Sequence, residues 1–157
     1  MNLLSKNIVK KLSKQKIKIS VAESCTGGLI SGSLTSVSGA SKIFKLGLVA
    51  YSNESKIKLL KINKKIIIKH GAVSEQICKI MLKNISKISN TRMSVAVTGI
   101  AGPGGGSIKK PVGLVYVGIK KDKKIKIKKY LFKNKNRSYI QKSAVKKCLE
   151  LILSFVK

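Results

Sequence analysis

Lysine runs through this chain of 157 residues so evenly that the two stretches without it constrain the fold more than any other feature. It supplies 32 of the 34 basic Lys and Arg positions, with Arg92 and Arg137 as the remainder, yet Val21 to Ser41 and Ser94 to Ile108 contain none. Each island opens on an apolar segment of strand type and runs into a glycine-bearing turn. The first turn is Ser24-Cys25-Thr26-Gly27-Gly28 and the second spans Thr98 to Ser107. Segments closed to the commonest residue of the chain are segments where the sequence is not free to drift. In open α/β sheets, turns that follow strands gather at the carboxyl edge, where ligands bind.

The charge itself, +29 from 34 basic and 5 acidic residues, would ordinarily point to nucleic acid or an anionic surface. Its distribution argues against that as the main function. With 21 isoleucines as well, the lysine excess reads as drift toward A/T-rich codons at tolerant surface positions. Tight, sequence-selective binding to duplex DNA at physiological salt would contradict this. Aromatics are 4% with no Trp, too few for a base-stacking platform. At 43% hydrophobic the chain can bury a core, and its length fits one domain over residues 1–157. Cys25, Cys78 and Cys148 are odd in number and widely spaced, which suits free thiols in a reducing cytosol rather than a disulfide frame or structural zinc. No signal-peptide core and no apolar run of ~20 residues is present, so a cytoplasmic chain with no membrane partner is expected.

Leu3, Leu4, Ile8, Val9 and Leu12 predict a first amphipathic helix. Lys16 to Val21 alternates with period two and predicts a strand running into Ala22-Glu23. A short helix over Leu29 to Leu34 follows. Ile43 to Tyr51 reads as the next strand, and Asn53 as the cap of a helix through Leu60, with Glu54 favoured in its first turn. Ser74 should cap a longer helix with Glu75 beside it and Ile77, Ile80, Met81, Ile85 and Ile88 on one stripe. Ser94 to Val97 is a buried-type strand. Val112 to Ile119 and Ile125 to Phe132 predict a hairpin around Lys120 to Lys124. A last helix from about Ser138 carries Ile140, Ala144, Cys148, Ile152 and Phe155. The expected class is α/β: a three-layer α/β/α sandwich with a mixed, mostly parallel sheet and a late hairpin.

Five ordered motifs sharpen the reading. Ala22-Glu23-Ser24-Cys25-Thr26-Gly27-Gly28, Tyr51-Ser52-Asn53-Glu54, His70-Gly71-Ala72-Val73-Ser74-Glu75, Val97-Thr98-Gly99-Ile100-Ala101-Gly102-Pro103 and Lys110-Pro111-Val112-Gly113 resemble the CinA-type C-terminal domain family. The resemblance implies a three-layer α/β/α fold and nicotinamide-nucleotide amidohydrolase activity. Nicotinamide mononucleotide and water would give nicotinate mononucleotide and ammonia, with no metal or other cofactor. It also suggests a homo-oligomer, although a charge of +29 opposes self-association. Some family members carry an additional N-terminal domain, which this chain is expected to lack.

Amide hydrolysis needs a nucleophile, a base and oxyanion donors. Ser24 at a strand-to-helix turn offers a hydroxyl, with the N–H groups of Thr26, Gly27 and Gly28 as donors. A Ser-His-Asp triad would have to use His70, the one histidine; a Ser-Lys pair would use a desolvated lysine of lowered pKa. Lys56 is that candidate, since the end of a strand and the next helical turn would bring the Tyr51 phenol and the amine together. The resemblance points to the same Ser24, Tyr51 and Lys56, with Tyr51 as proton relay or orienting partner. Taken singly, each has a plainer reading, as a helix cap, a strand aromatic and one lysine of 32.

Cys25 offers a rival: Glu23, Cys25 and Lys56 are the residue types of a Glu-Lys-Cys amidase. For the substrate's anionic group, Thr98, Gly99 and the glycines of the following loop (Gly102, Gly104, Gly105) supply donors. Arg137 is suited to a bidentate grip on phosphate or carboxylate. The resemblance supports Arg137 through a Gly-Asp-Arg-like triplet before the last helix, which reads Lys135-Asn136-Arg137 in this chain. The partner expected is a small anionic nucleotide rather than a specific nucleic acid. The alternative is a non-catalytic nucleotide- or nucleic-acid-binding domain of the same fold, suggested by the charge and the glycine loops.

Overall fold

All five residues of the strand Ile19–Glu23 (β1) are buried, which places it in the middle of the sheet. The computed structural model of the chain describes residues 2–134 and 136–156. After the helix Asn2–Lys14 (α1) and β1 come Leu29–Thr35 (α2), a 3₁₀ turn at Ala40–Lys42, and the strand Phe44–Val49 (β2). The helices Asn53–Leu60 (α3), Lys64–His70 (α4) and Glu75–Ser89 (α5) follow, then the strands Met93–Gly99 (β3), Leu114–Lys121 (β4) and Lys124–Leu131 (β5), and the helix Arg137–Phe155 (α6). The sheet order is β2-β1-β3-β4-β5. β1 runs parallel to both β2 and β3, and β4 and β5 close the sheet as an antiparallel hairpin.

The apolar faces sort the helices into two layers. On one face Ile8, Leu12, Ile30, Leu34, Ile140, Ala144 and Ile152, from α1, α2 and α6, pack on Ile19, Val21, Val95, Val97 and Val117 of the sheet. On the other, Leu60, Ile67, Ile77, Met81 and Ile85, from α3, α4 and α5, pack on Ala22 and Ala96. Alternating sheet residues therefore feed opposite cores, as a strand's period of two requires. The α/β/α sandwich with its mixed sheet and late hairpin agrees with the sequence expectation.

Three local differences have physical reasons. β1 begins at Ile19 rather than Lys16, because Lys16 adopts a left-handed turn (φ 52°) and Ile17 N–H still bonds the Leu12 carbonyl of α1. The cap of α3 is Ser52: its hydroxyl accepts from Ser55 N–H while Ser55 Oγ accepts from Ser52 N–H. That reciprocal box makes Asn53 the first helical residue instead of the cap. α4 has no sequence forecast because Ile66-Ile67-Ile68 shows no period, and only Ile67 is buried. Asn63 starts it by accepting from Lys65 N–H.

Candidate functional site

The parallel strands β2, β1 and β3 end on one edge, and their C-terminal ends deliver Tyr51, Ser24 and Thr98 to it. Main-chain bonds register this edge: Ser24 N–H donates to the Val97 carbonyl at 3.1 Å, and Ala50 N–H to the Glu23 carbonyl at 2.8 Å. A cleft of about 260 Å³ opens there, lined by Ser24, Cys25, Tyr51, Asn53, Lys56 and Arg137, with Ala72, Val73 and the 98–105 loop opposite. A larger hollow, about 660 Å³, lies between the β4–β5 turn and the end of α6, lined by Lys121 to Lys124. It holds none of the strand-end chemistry.

At the floor of the cleft, Lys56 Nζ lies 3.0 Å from Ser24 Oγ and 3.2 Å from the Tyr51 carbonyl oxygen. Lys56 is only 2% exposed and Ser24 7%. No carboxylate bonds the amine among the described residues. Burial pushes the Lys56 pKa down from its usual 10.5, because desolvation disfavours the ammonium form. A neutral amine can keep an N–H on the Tyr51 carbonyl and accept the Ser24 hydroxyl proton.

Glu23 is fully buried, and its role differs from the one its residue type suggests. Its carboxylate accepts from Thr26 Oγ1 (2.6 Å), Gly28 N–H (3.1 Å), Ile30 N–H (3.0 Å), Ser31 N–H (2.8 Å) and Ser31 Oγ (2.7 Å). An acid has taken the place of a helix cap: α2 starts at Gly28 with no side-chain cap of its own, and Glu23 satisfies its first amides. Gly27 and Gly28 hold left-handed φ of 58° and 97° to make the turn. This commitment corrects two expectations. Glu23 has no free lone pairs aimed at Cys25 or Lys56 for a Glu-Lys-Cys arrangement. Of the three candidate oxyanion amides, Gly28's goes to Glu23 and Gly27's to the Ser24 carbonyl, so only Thr26's has no acceptor among the described residues. Thr26, Gly27 and Gly28 shape the turn and do not line the cleft.

Cys25 lines the cleft but is 5% exposed, and burial pushes its thiol up to about 12, with the charge of Glu23 adding to the effect. That environment suppresses thiolate. Cys25 also anchors α6, its carbonyl accepting from Gln141 Nε2 at 2.9 Å.

Tyr51 meets Lys56 through its main chain and not its phenol. The residue is 56% exposed, and its hydroxyl accepts from Arg137 Nη2 at 2.7 Å. Arg137 Nη1 donates to the Gly102 carbonyl at 2.8 Å, leaving other guanidinium N–H groups on the cleft rim. Asn136 caps α6 by accepting from Tyr139 N–H, while Lys135 of the altered triplet lies outside the described residues. Thr98 is committed inward: its hydroxyl donates to the Ala72 carbonyl at 2.8 Å and fixes the α4–α5 loop against β3. Across the cleft, the amides of Gly102, Gly104 and Gly105 have no acceptor among the described residues.

The remaining candidates fall outside. Glu54 pairs with exposed Lys58 at 2.8 Å, not with Lys56. His70 ends α4, its carbonyl accepts from Lys110 Nζ, and it does not line the cleft; no bond joins its ring to Ser24 among the described residues. Arg92 makes a bidentate pair with Asp122 at 2.8 and 3.0 Å. Asn53, which the sequence reading spent on a cap, lines the cleft instead. Its signal was the Ser52–Ser55 spacing of a capping box one residue earlier.

Fold and cleft together define a three-layer α/β domain with a buried serine–lysine pair at the carboxyl edge of its parallel strands. The chain matches the CinA C-terminal domain over residues 1–156 and belongs to that family. It is 46% identical over 144 residues to a CinA-like protein of Prochlorococcus marinus strain MIT 9301, covering 90% of this chain and 34% of that protein. It superposes on the competence/damage inducible protein CihA of Agrobacterium tumefaciens with TM-score 0.96 and 35% identity, covering 99% of this chain and 95% of that one. A competence or damage-inducible protein of Enterobacter asburiae gives TM-score 0.94 at 28% identity, with 99% and 98% covered. The chain spans about a third of the length of the curated relatives it matches. Among the described residues no helix is long and apolar enough to cross a membrane.

Proposed function

We propose that the chain hydrolyses the carboxamide of nicotinamide mononucleotide to nicotinate mononucleotide and ammonia, with Ser24 as nucleophile and Lys56 as general base. The observation that carries this reading is the 3.0 Å contact between a buried Lys56 amine and Ser24 Oγ, with burial lowering the amine's pKa. Neutral Lys56 takes the Ser24 proton as Oγ attacks the amide carbon. The tetrahedral intermediate collapses with cleavage of the C–N bond, and the Lys56 ammonium returns its proton to the leaving NH₂, which departs as ammonia. Water, deprotonated by the same amine, then attacks the Ser24 ester; the C–O bond breaks, the Lys56 ammonium returns its proton to Ser24 Oγ, and the acid product leaves, ionising to the carboxylate.

The unpaired amides of the Gly102–Gly105 segment, which line the cleft, are the available donors for the oxyanion and for the substrate's phosphate. In this reading Arg137, bonded to the Gly102 carbonyl and the Tyr51 hydroxyl, holds the phosphate with its remaining N–H groups. Tyr51 is a substrate-orienting residue in this reading, and its main-chain carbonyl steers the lysine.

Separate Ser24→Ala and Cys25→Ala variants, assayed for nicotinate mononucleotide formation, test the nucleophile. The expected result is a loss of about 10³-fold or more in kcat for Ser24→Ala and retained turnover for Cys25→Ala. Full turnover in the serine variant would refute the assignment.

A further inference from the structure

Two of the five ordered motifs take no part in the Ser24–Lys56 contact: the one at His70-Gly71 and the one opening on Lys110. The fold brings these two together. Lys110 Nζ donates to the His70 carbonyl at 2.6 Å, at the C-terminal end of α4, where lysine suits carbonyls left free by the helix. Gly71, the next residue, holds φ 75°, and a Cβ built on it would lie 2.5 Å from Lys110 Nζ. The glycine therefore serves the contact twice, in its positive φ and in leaving room for the amine.

The contact ties together two segments of the cleft wall. Ala72 and Val73 directly follow Gly71 and belong to the first, which Thr98 fixes to β3 through the Ala72 carbonyl. Gly102, Gly104 and Gly105 belong to the second, within the connection 100–113 between β3 and β4. Its base is pinned where Ile100 N–H donates to the Leu114 carbonyl and Gly113 N–H to the Ile100 carbonyl. Further out, the Lys110 carbonyl accepts from Ser107 N–H, and Lys110 N–H donates to Ser107 Oγ. Holding Lys110 thus holds the turn at Ser107, directly beyond the glycines. With four glycines among residues 102–106, this segment has more backbone freedom to lose than an ordinary loop. A ligand that had to order it on binding would lose affinity by that amount.

We infer that Lys110 is a positioning residue: its bond to the His70 carbonyl, seated over Gly71, keeps the Gly102–Gly105 amides ordered for the anionic end of the substrate. That these amides meet substrate rests on the proposed function; that Lys110 orders them does not. Lys110 itself does not line the cleft, so it acts through the loop and not by contact with phosphate. Gly102 has a second tether in Arg137, so the strap governs chiefly Gly104 and Gly105.

NMR order parameters of the full chain without substrate test the strap alone. At the Gly104 and Gly105 amides they are expected to fall from about 0.85 to below about 0.6 in Lys110→Met, with native circular dichroism. Gly71→Ala, which evicts the amine and leaves Lys110 in place, should give the same fall. In turnover of nicotinamide mononucleotide, Lys110→Met should raise KM about tenfold and change kcat less than about threefold. Lys109→Met removes the same charge at an exposed neighbour and should leave KM within about twofold. Combining Lys110→Met with Gly71→Ala should add little, because both break one bond. Order parameters indifferent to both variants, or an equal KM rise in Lys109→Met, would overturn the proposal. If the unmodified chain does not hydrolyse the nucleotide, that activity fails, while lowered order parameters still uphold the strap.

Discussion

Lys56 sits where a charge is costly: it is 2% exposed and faces a hydroxyl and a carbonyl instead of a carboxylate. A site of this kind trades stability for chemistry. The native state has released the lysine proton at a pH where the unfolded chain still holds it. Native stability therefore rises with pH between the lowered value and 10.5, and the burden is fully present below that window. Lys56→Met keeps the volume and removes the amine. It is expected to raise stability by about 1 kcal/mol at neutral pH, to flatten that pH dependence in urea titrations, and to abolish turnover. A destabilised Lys56→Met protein would mean the amine is held as a paired ammonium.

The turn between β1 and α2 is the element that makes the site, and Glu23 holds it. Glu23→Ala would leave the amides of Gly28, Ile30 and Ser31 buried or half-buried without an acceptor. The expected cost is about 3 kcal/mol, read from the urea midpoint. Asn136→Ala removes the cap of α6 and should cost about 1 kcal/mol by the same measurement. The contrast between Glu23 and Ser24 shows what could be read ahead of the structure. The strands, the long helices and the Ser24–Lys56 pairing were legible, because apolar periods mark elements and the ordered motifs mark the edge. What Glu23 does was not legible, because its five donors come from residues 26–31 folded back around it, an arrangement that residue type and spacing do not encode. The same limit hid Tyr51's split role: only the three-dimensional turn decides whether carbonyl or phenol meets the amine.

At the scale of the whole molecule, the charge of +29 surrounds a cleft read as a nucleotide site and should steer anions into it. For nicotinamide mononucleotide, kcat/KM is expected to fall several-fold as ionic strength rises through the range where the Debye length shrinks from about 30 Å to about 8 Å. The riboside, which lacks the phosphate and keeps only the cationic pyridinium, should show no such fall, and an equal fall for both would argue against steering. The central claim, that a buried neutral lysine activates Ser24 to cleave an amide, is tested most directly by ammonia release from nicotinamide mononucleotide across a pH series. Release by the unmodified chain, absent in Ser24→Ala and rising to a plateau with a midpoint below 10.5, is the predicted result. No release at any pH, or a profile that Ser24→Ala leaves intact, would contradict it.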